Sequence, residues 1–234
     1  MKVAVYFGSR EIYHDMVASY KSLLINSDVD KIYLLIEDDE FPFELHPAVE
    51  TMNISQLVPK LFNPKSPNYG TAWTYIGLIR AALTKVFPQY DRILSIDCDT
   101  VVMHDISDLW DLQMDGYYVA GVKEPLLSRS RGMFYINAGV LMMNLKKMRE
   151  DGIDDKMIYD LNTEPHVFVA QDGINKECEG HIYKLPPEYN VSSFTVQCDT
   201  DYKIRHFAGN LPRHWRQLDI VRHYRDIDPR TIRI

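Results

Sequence analysis

Apolar residues along this chain come in short runs set between stretches of helical periodicity. Val3–Phe7 and Lys31–Ile36 are unbroken runs of strand length; Met16–Ile25 between them repeats its apolar positions as a helix does, and the acidic stretch Glu37–Glu40 closes the second run. A strand–helix–strand opening of this kind predicts an α/β fold with a parallel component. Val58–Gly70, rich in Pro and Asn, reads as a loop and Thr71–Phe87 as a helix. Arg92–Ile96, Tyr117–Val122, Ala138–Met143, Ile182–Leu185 and Lys203–Phe207 read as further strands, with helices over Asp154–Asn162 and Asp172–Glu179. No repeat, low-complexity block or linker interrupts the alternation, so residues 1–212 are expected to form one domain and 213–234 a basic C-terminal extension of it.

Charge narrows the function classes. The 234 residues carry a formal net charge of −7, against the basic face that nucleic-acid binding requires. No apolar run approaches the roughly 20 residues of a membrane helix, and the N-terminus has no signal-peptide pattern. Cys98, Cys178 and Cys198 are widely spaced, which argues against a disulfide framework or zinc knuckle and for a reducing cytoplasm. The exception to the acidic balance is the tail, where Arg213, Arg216, Arg222, Arg225, Arg230 and Arg233 are interleaved with Trp215 and Tyr224. Two readings of it stand: peripheral contact with an anionic membrane, or a helix folded back on an acidic body.

The sharpest chemical signal is Ile93-Leu94-Ser95-Ile96-Asp97-Cys98-Asp99-Thr100. Residues two apart share one side of a strand, so Asp97 and Asp99 converge just past its carboxyl end, where open α/β sheets bind ligands. Two converging carboxylates repel unless a cation neutralises them, which makes a divalent metal a natural partner. Turn formation or capping explains the pair as well. Asp97-x-Asp99 after an apolar strand also resembles the first motif of haloacid-dehalogenase-like phosphatases, in which the first aspartate is a nucleophile. Two strand–helix units precede it here, and no Gly-Asp-x-x-x-Asp segment follows.

The rest of the chain resembles glycosyltransferase family 8, the family of glycogenin and the lipopolysaccharide α-galactosyltransferases. Val17–Leu24 is similar to its first helix, and Tyr90–Val102 to its Asp-x-Asp strand, with Asp105–Trp110 as the sequel. Tyr135-Ile136-Asn137-Ala138-Gly139-Val140 matches the Asn-x-Gly-Val block. Gln171-Asp172-x-x-Asn175, Leu185-Pro186-Pro187-x-Tyr189-Asn190 and His206-Phe207-x-Gly209 follow in order. The resemblance implies a GT-A (Rossmann-like) fold with a mixed central sheet flanked by helices. It also implies a retaining transfer of a hexose from a nucleotide sugar, typically UDP-linked, to a glycan, lipid-linked or protein acceptor, with Mn²⁺ or Mg²⁺. On that basis Asp97, Asp99 and His206 would hold the metal, and Arg80, Cys98, Asn137, Gly139 and Gly209 would lie against the donor.

Gln171 and Asp172 would then stand beneath the anomeric carbon. Gln171 would offer its amide oxygen to charge developing on the sugar, and Asp172 would be the nearby ionised group, with a helix cap as its alternative duty. The chain departs from the family pattern at three places. The lysine that follows the histidine motif is missing, and Arg213 stands as its substitute for the diphosphate. The first strand ends in Tyr6-Phe7-Gly8-Ser9 without an aspartate, so Tyr6 or Tyr13 would stack on the base and Ser9 would hydrogen-bond it. Ala170 replaces an acid beside Gln171. A sugar-nucleotide binder without turnover is therefore the non-enzymatic alternative.

Overall fold

The computed structural model describes residues 1–71, 74–195, 202–209 and 213–233. Its strands are β1 Val3–Phe7, β2 Lys31–Ile36, β3 Val49–Asn53, β4 Arg92–Ile96, β5 Thr100–Val102, β6 Val119–Lys123, β7 Ile136–Asn144, β8 Ile182–Leu185 and β9 Ile204–His206. Seven of them form one sheet in the order β3-β2-β1-β4-β7-β6-β8, and β5 pairs with β9 as a separate ribbon. β3, β2, β1 and β4 run parallel; β7 is antiparallel to both β4 and β6, and β8 is parallel to β6. The mixed sheet is therefore parallel on one side and reverses direction at β7.

Strand alternation divides the core. Val3, Val5 and Phe7 of β1 face one layer with Ile76, Ile79, Met157, Leu161 and Ile174, while Ala4 and Tyr6 face the other with Met16, Tyr20 and Leu23 of the helix Tyr13–Asn26. Helices thus cover both faces, which is why the inner strands read as continuous apolar runs. β3 escapes that pattern because it is an edge strand in which only Val49 is buried, Thr51 and Met52 are half-buried, and Glu50 and Asn53 are exposed. The expected helix over Thr71–Phe87 is, in its described part, a 3-10 segment Tyr75–Ala82 running into one α-turn, Leu83–Val86. A further single turn, Val58–Leu61, lies within the expected loop.

The tail folds back on the body. The helix Asp219–Asp226 packs on Tyr13–Asn26, where the buried Lys21 donates from Nζ to the carbonyls of Arg225 (2.8 Å) and Ile227 (2.5 Å). Burial there lowers the pKa of the Lys21 ammonium. Arg216 pairs with the buried Asp15, and Asn26 Nδ2 donates to Tyr224 Oη at 2.8 Å. Trp215 is buried against Phe207, the rings stacked with centroids 5.0 Å apart. Of the two readings of the tail, the membrane one loses its aromatic anchors, because Trp215 and Tyr224 both face inward. Among the described residues no helix is long and apolar enough to cross a membrane.

Candidate active site

The site forms where the sheet reverses. Antiparallel pairing sets Ile96 at the end of β4 against Val140, so the carbonyl of Gly139 accepts from the Asp97 N–H at 2.8 Å. The chain then turns at Asp97-Cys98-Asp99, and the turn is braced from below. Thr100 Oγ1 donates to the Asp97 carbonyl at 2.9 Å and lies 2.7 Å from Ser19 Oγ. β5 continues from the turn and pairs with β9 in the register Thr100↔His206, with the Phe207 N–H donating to the Asp99 carbonyl at 2.9 Å. That ribbon delivers the distant histidine. His206 Nε2 lies 3.2 Å from Asp99 Oδ1 and 3.7 Å from Asp97 Oδ2.

Ligand atoms of Asp97, Asp99 and His206 all fall within 4.8 Å of one another. Two carboxylate oxygens and one imidazole nitrogen are a fitting donor set for a divalent cation such as Mn²⁺. The electrostatics agree with that fit. Burial opposes ionisation of Asp99, yet the His206 charge and hydrogen bond hold its carboxyl below the usual range. Burial likewise opposes charge on His206, and the Asp99 carboxylate overcomes it and pushes the imidazole up. The two acids thus hold positive charge at the place a cation would take.

Two connected hollows open onto this cluster. The larger, about 400 Å³, is lined by Phe7, Gly8, Ser9, Asp97, Asp99, Gly209 and Arg213; the smaller, about 160 Å³, by Phe7, Gly77, Arg80, Asp97, Ala170 and Gln171. Phe7, Gly77 and Asp97 line both. Arg80 is buried at this junction. Its Nη2 pairs with Asp97, its Nε donates to Ser95 Oγ at 3.3 Å, and its guanidinium lies 4.5 Å over the Phe7 ring. Gly209 adopts φ +67°, the left-handed region that favours glycine.

Behind the smaller hollow runs a buried polar chain. Glu124 Oε2 accepts from Asn137 Nδ2 (3.2 Å) and Gln171 Nε2 (3.3 Å); Asn137 Oδ1 accepts from the Gly139 N–H and from Asn190 Nδ2, both at 2.9 Å. Gln171 Oε1 accepts from the Ala138 N–H at 2.8 Å, and Tyr135 Oη donates to Asp172 Oδ1 at 2.5 Å. Burial raises the pKa of Glu124, and the donors Asn137 and Gln171 offset part of that.

The sequence-derived candidates therefore separate into groups. Asp97, Asp99, His206 and Arg80 converge, and Ser9, Gly209 and Arg213 line the larger hollow beside them. Residues 210–212, which carry the inserted register before Arg213, and Cys198 lie outside the described residues. Tyr6 cannot stack on a base: it is fully buried beneath the sheet. Tyr13 is buried too, against Phe41, with its hydroxyl donating to Asp38 Oδ2 at 2.9 Å. The Cys98 side chain turns into the core toward the Phe7 carbonyl, and burial raises its thiol well above the ordinary range. Asn137 is spent inside the polar chain, and the space that Gly139 leaves is filled by the His206 ring and not by a sugar.

Asp172 also takes a different part. Its carboxylate is buried and accepts from the N–H groups of Val167 (3.0 Å) and Phe168 (2.9 Å), from Tyr135, and from Arg131 at 2.8 Å. The bend it braces holds Val169 at φ +43°, a strained conformation for a β-branched residue, directly before Ala170 and Gln171. Asp172 is a brace here, neither a free ionised group nor the cap residue of its helix. Glu124 and Asn190 were missed. Glu124 had a legible signal, a carboxylate two residues past the apolar stretch Tyr117–Val122, by the logic that singled out Asp97.

Comparison with known proteins gives the family and the fold. A sequence model described as Glycosyl transferase family 8 matches residues 38–211. A putative glycosyltransferase of Haemophilus influenzae is 28% identical over 141 residues, covering 55% of this chain and 42% of that protein. The lipopolysaccharide 1,2-glucosyltransferase of Escherichia coli is 32% identical over 113 residues, 43% of this chain and 33% of that one. The matches to such curated relatives span under half of the relatives' length. Among solved structures, the galactosyltransferase LgtC in complex with donor and acceptor sugar analogues superposes with TM-score 0.67 at 15% identity, over 88% of this chain and 87% of that one. Glycosyltransferase GlyE of Streptococcus pneumoniae gives TM-score 0.71 at 19% identity, over 97% of this chain and 61% of that one. The mixed seven-stranded sheet with its flanking helices is the GT-A fold of these neighbours. By the extent of the family match, the chain belongs to glycosyl transferase family 8.

Proposed function

We propose that the protein transfers a hexosyl group from a nucleoside diphosphate sugar, UDP-hexose first among them, to a hydroxyl of a glycan, lipid-linked or protein acceptor, with retention at the anomeric carbon. The observation that carries this reading is the convergence of Asp97, Asp99 and His206 at the junction of two hollows flanked by Arg80 and Arg213. A Mn²⁺ or Mg²⁺ ion held by the three ligands would supply Lewis-acid charge to the departing diphosphate. The chain's own residues do the rest. Arg213 meets phosphate oxygens, Arg80 fixes the orientation of Asp97, and Gln171, held from behind by Glu124, presents a polar wall to the sugar in the smaller hollow. In the transfer the bond from the anomeric carbon to the diphosphate oxygen breaks. The acceptor oxygen bonds to that carbon on the same face, and the acceptor's proton goes to the leaving diphosphate.

With Tyr6 and Tyr13 buried, we assign the base to the larger hollow beside Ser9 and Phe7. Cys98 and Cys178 are buried free thiols, in keeping with a reducing, cytoplasmic setting. The phosphatase alternative is disfavoured by Arg80, whose guanidinium pairs with Asp97 Oδ1 and lowers its worth as a nucleophile. A thermal-shift series of nucleotide sugars with and without Mn²⁺, followed by detection of released nucleoside diphosphate, tests the proposal. Stabilisation by UDP with Mn²⁺ but no turnover of any sugar nucleotide would reassign the chain as a binder. Proton NMR of the glycoside from an α-linked donor tests retention, which a β product would overturn.

A further inference from the structure

We infer that Asn190 is a positioning residue that keeps a proton on Nδ1 of His206, leaving Nε2 as the nitrogen that can meet a cation beside Asp97 and Asp99, and that the order originates in the backbone N–H of Gly139. This rests on the reading of Asp97, Asp99 and His206 as a cation site. One end of this relay has a covalently fixed polarity. The Gly139 N–H can only donate, so the atom of Asn137 facing it at 2.9 Å must be the carbonyl oxygen Oδ1. The reverse placement would set two donors against each other there and set an amide oxygen against the Glu124 carboxylate at the far end. Asn137 Nδ2 therefore points to Glu124.

The same Oδ1 lies 2.9 Å from the side chain of Asn190, which must offer its NH₂. Asn190 Oδ1 is then the atom 2.8 Å from His206 Nδ1. An amide oxygen only accepts, so Nδ1 carries a proton. Nε2 faces Asp99 Oδ1 at 3.2 Å and Asp97 Oδ2 at 3.7 Å, so a proton on Nε2 is shared with a carboxylate and is the one a cation would displace. Free neutral histidine favours the opposite form, with its only proton on Nε2, and that form could not ligate a cation through this nitrogen. The arrangement is rigid. Asn190 is fully buried, and the His206 ring packs so close to Gly139 that a Cβ there would overlap it. A ligand histidine whose other nitrogen is held by a fixed acceptor is better oriented and more basic, an effect worth about 10–100-fold in metal affinity.

The first test reads the tautomer without any metal. Long-range ¹H–¹⁵N correlation on the metal-free protein at alkaline pH, with His206 assigned by comparison with His206→Gln, should show a protonated Nδ1. A ring with no proton on Nδ1 would overturn the inference. The second uses Mn²⁺ alone, followed by electron paramagnetic resonance of the free ion. Asn190→Leu should weaken Mn²⁺ binding about 10–100-fold and move the ring toward the Nε2–H form. Asn190→Asp, which still offers an acceptor to Nδ1, should keep the native tautomer and bind Mn²⁺ more tightly than Asn190→Leu. An Asn190→Leu protein that melts early yet binds Mn²⁺ like wild type would make Asn190 merely structural. If Asn190→Leu does not fold, the wild-type spectrum and Asn190→Asp still decide. A wild-type protein with the predicted tautomer and no affinity for Mn²⁺ would sink the cation reading while leaving the relay in place.

Discussion

The imidazole of His206 occupies the space that a side chain at position 139 would need: a Cβ on Gly139 would overlap the ring, 2.6 Å from Nδ1. Neither group can give way, because the ring is held by Asn190 and by the carboxylates, and Gly139 lies in β7 beside Asp97. Gly139→Ala should therefore push His206 out of reach of Asp99. We expect Mn²⁺ affinity to fall at least about tenfold and stability to fall by about 1–3 kcal/mol, as for other overpacked interiors. Calorimetric Mn²⁺ titration and urea unfolding read the two effects separately. Native Mn²⁺ affinity in Gly139→Ala would remove the ring from the cation site.

Arg80 binds three things at once, Asp97, Ser95 and the face of Phe7. Lysine can reach one of the oxygens but has no planar fork to hold both and no flat face for the ring. Losing a hydrogen bond to a charged group costs about 1.5–3 kcal/mol, so Arg80→Lys should lower kcat/KM for the donor by about 10–100-fold. Steady-state kinetics at saturating Mn²⁺ check this, and wild-type values would make Arg80 a bystander.

Glu124 offers a test by pH. Its folded-state pKa is raised by burial above the unfolded value, so ionisation opposes folding. Stability should rise as pH falls through the folded pKa toward the ordinary carboxyl range, and the penalty is fully present above it. Glu124→Gln retains an acceptor for both Asn137 and Gln171 and removes the charge. Its melting temperature at neutral pH should equal or exceed that of wild type, with a flatter profile on acidification. A Glu124→Gln protein that melts lower at neutral pH would show the charge to be stabilising.

Arg216 is the partner of the buried Asp15, whose pKa burial raises even with the arginine beside it. Arg216→Ala should cost about 1–3 kcal/mol near neutral pH by leaving that carboxylate unpaired. The deficit should shrink on acidification, because a protonated Asp15 needs no counter-charge. Denaturant unfolding at two pH values measures this, and a pH-independent deficit would trace it to packing.

Asp172→Asn would leave donors facing an NH₂ group where Val167, Phe168, Tyr135 and Arg131 now meet a carboxylate. The expected loss is about 1–3 kcal/mol of stability. A kcat loss of ~100-fold or more with unchanged stability would instead give Asp172 the electrostatic catalytic role expected from the resemblance.

How much of this was legible in the sequence depends on where each signal lives. β1, β2, β4 and β8 have the bounds that the apolar runs suggest; the first three are inner strands of a covered sheet, which need apolar residues on both faces, while β8 is an edge strand buried at its two ends, Ile182 and Leu185. β3 and the short ribbon strand β5 carry no such signature, one being an exposed edge and the other three residues long. At the site, the Asp97 and Asp99 pair suggested a cation, the family resemblance added His206, and the structure brings their ligand atoms together. Direction was harder to read. Tyr6 and Cys98 stand at the right positions along the chain, yet strand alternation aims the first into the core and the turn after β4 aims the second there. Asp172 looked free because nothing in the sequence shows that the N–H groups of Val167 and Phe168 turn back toward it.

The ribbon of β5 and β9 has a kinetic corollary. It closes the chain from Thr100 to His206 with three residue pairs, so a long loop is secured by very little pairing. Contacts between such distant partners are the slow ones to form, and short ribbons are among the easiest to lose. A cation shared by Asp97, Asp99 and His206 would act as a clasp on that closure, binding the closed chain and not the open one. The donor's metal would then serve a second purpose, locking the last turn of folding before any sugar arrives. Hydrogen exchange at the Phe207 amide, which rests on the Asp99 carbonyl, would register the clasp as it shuts.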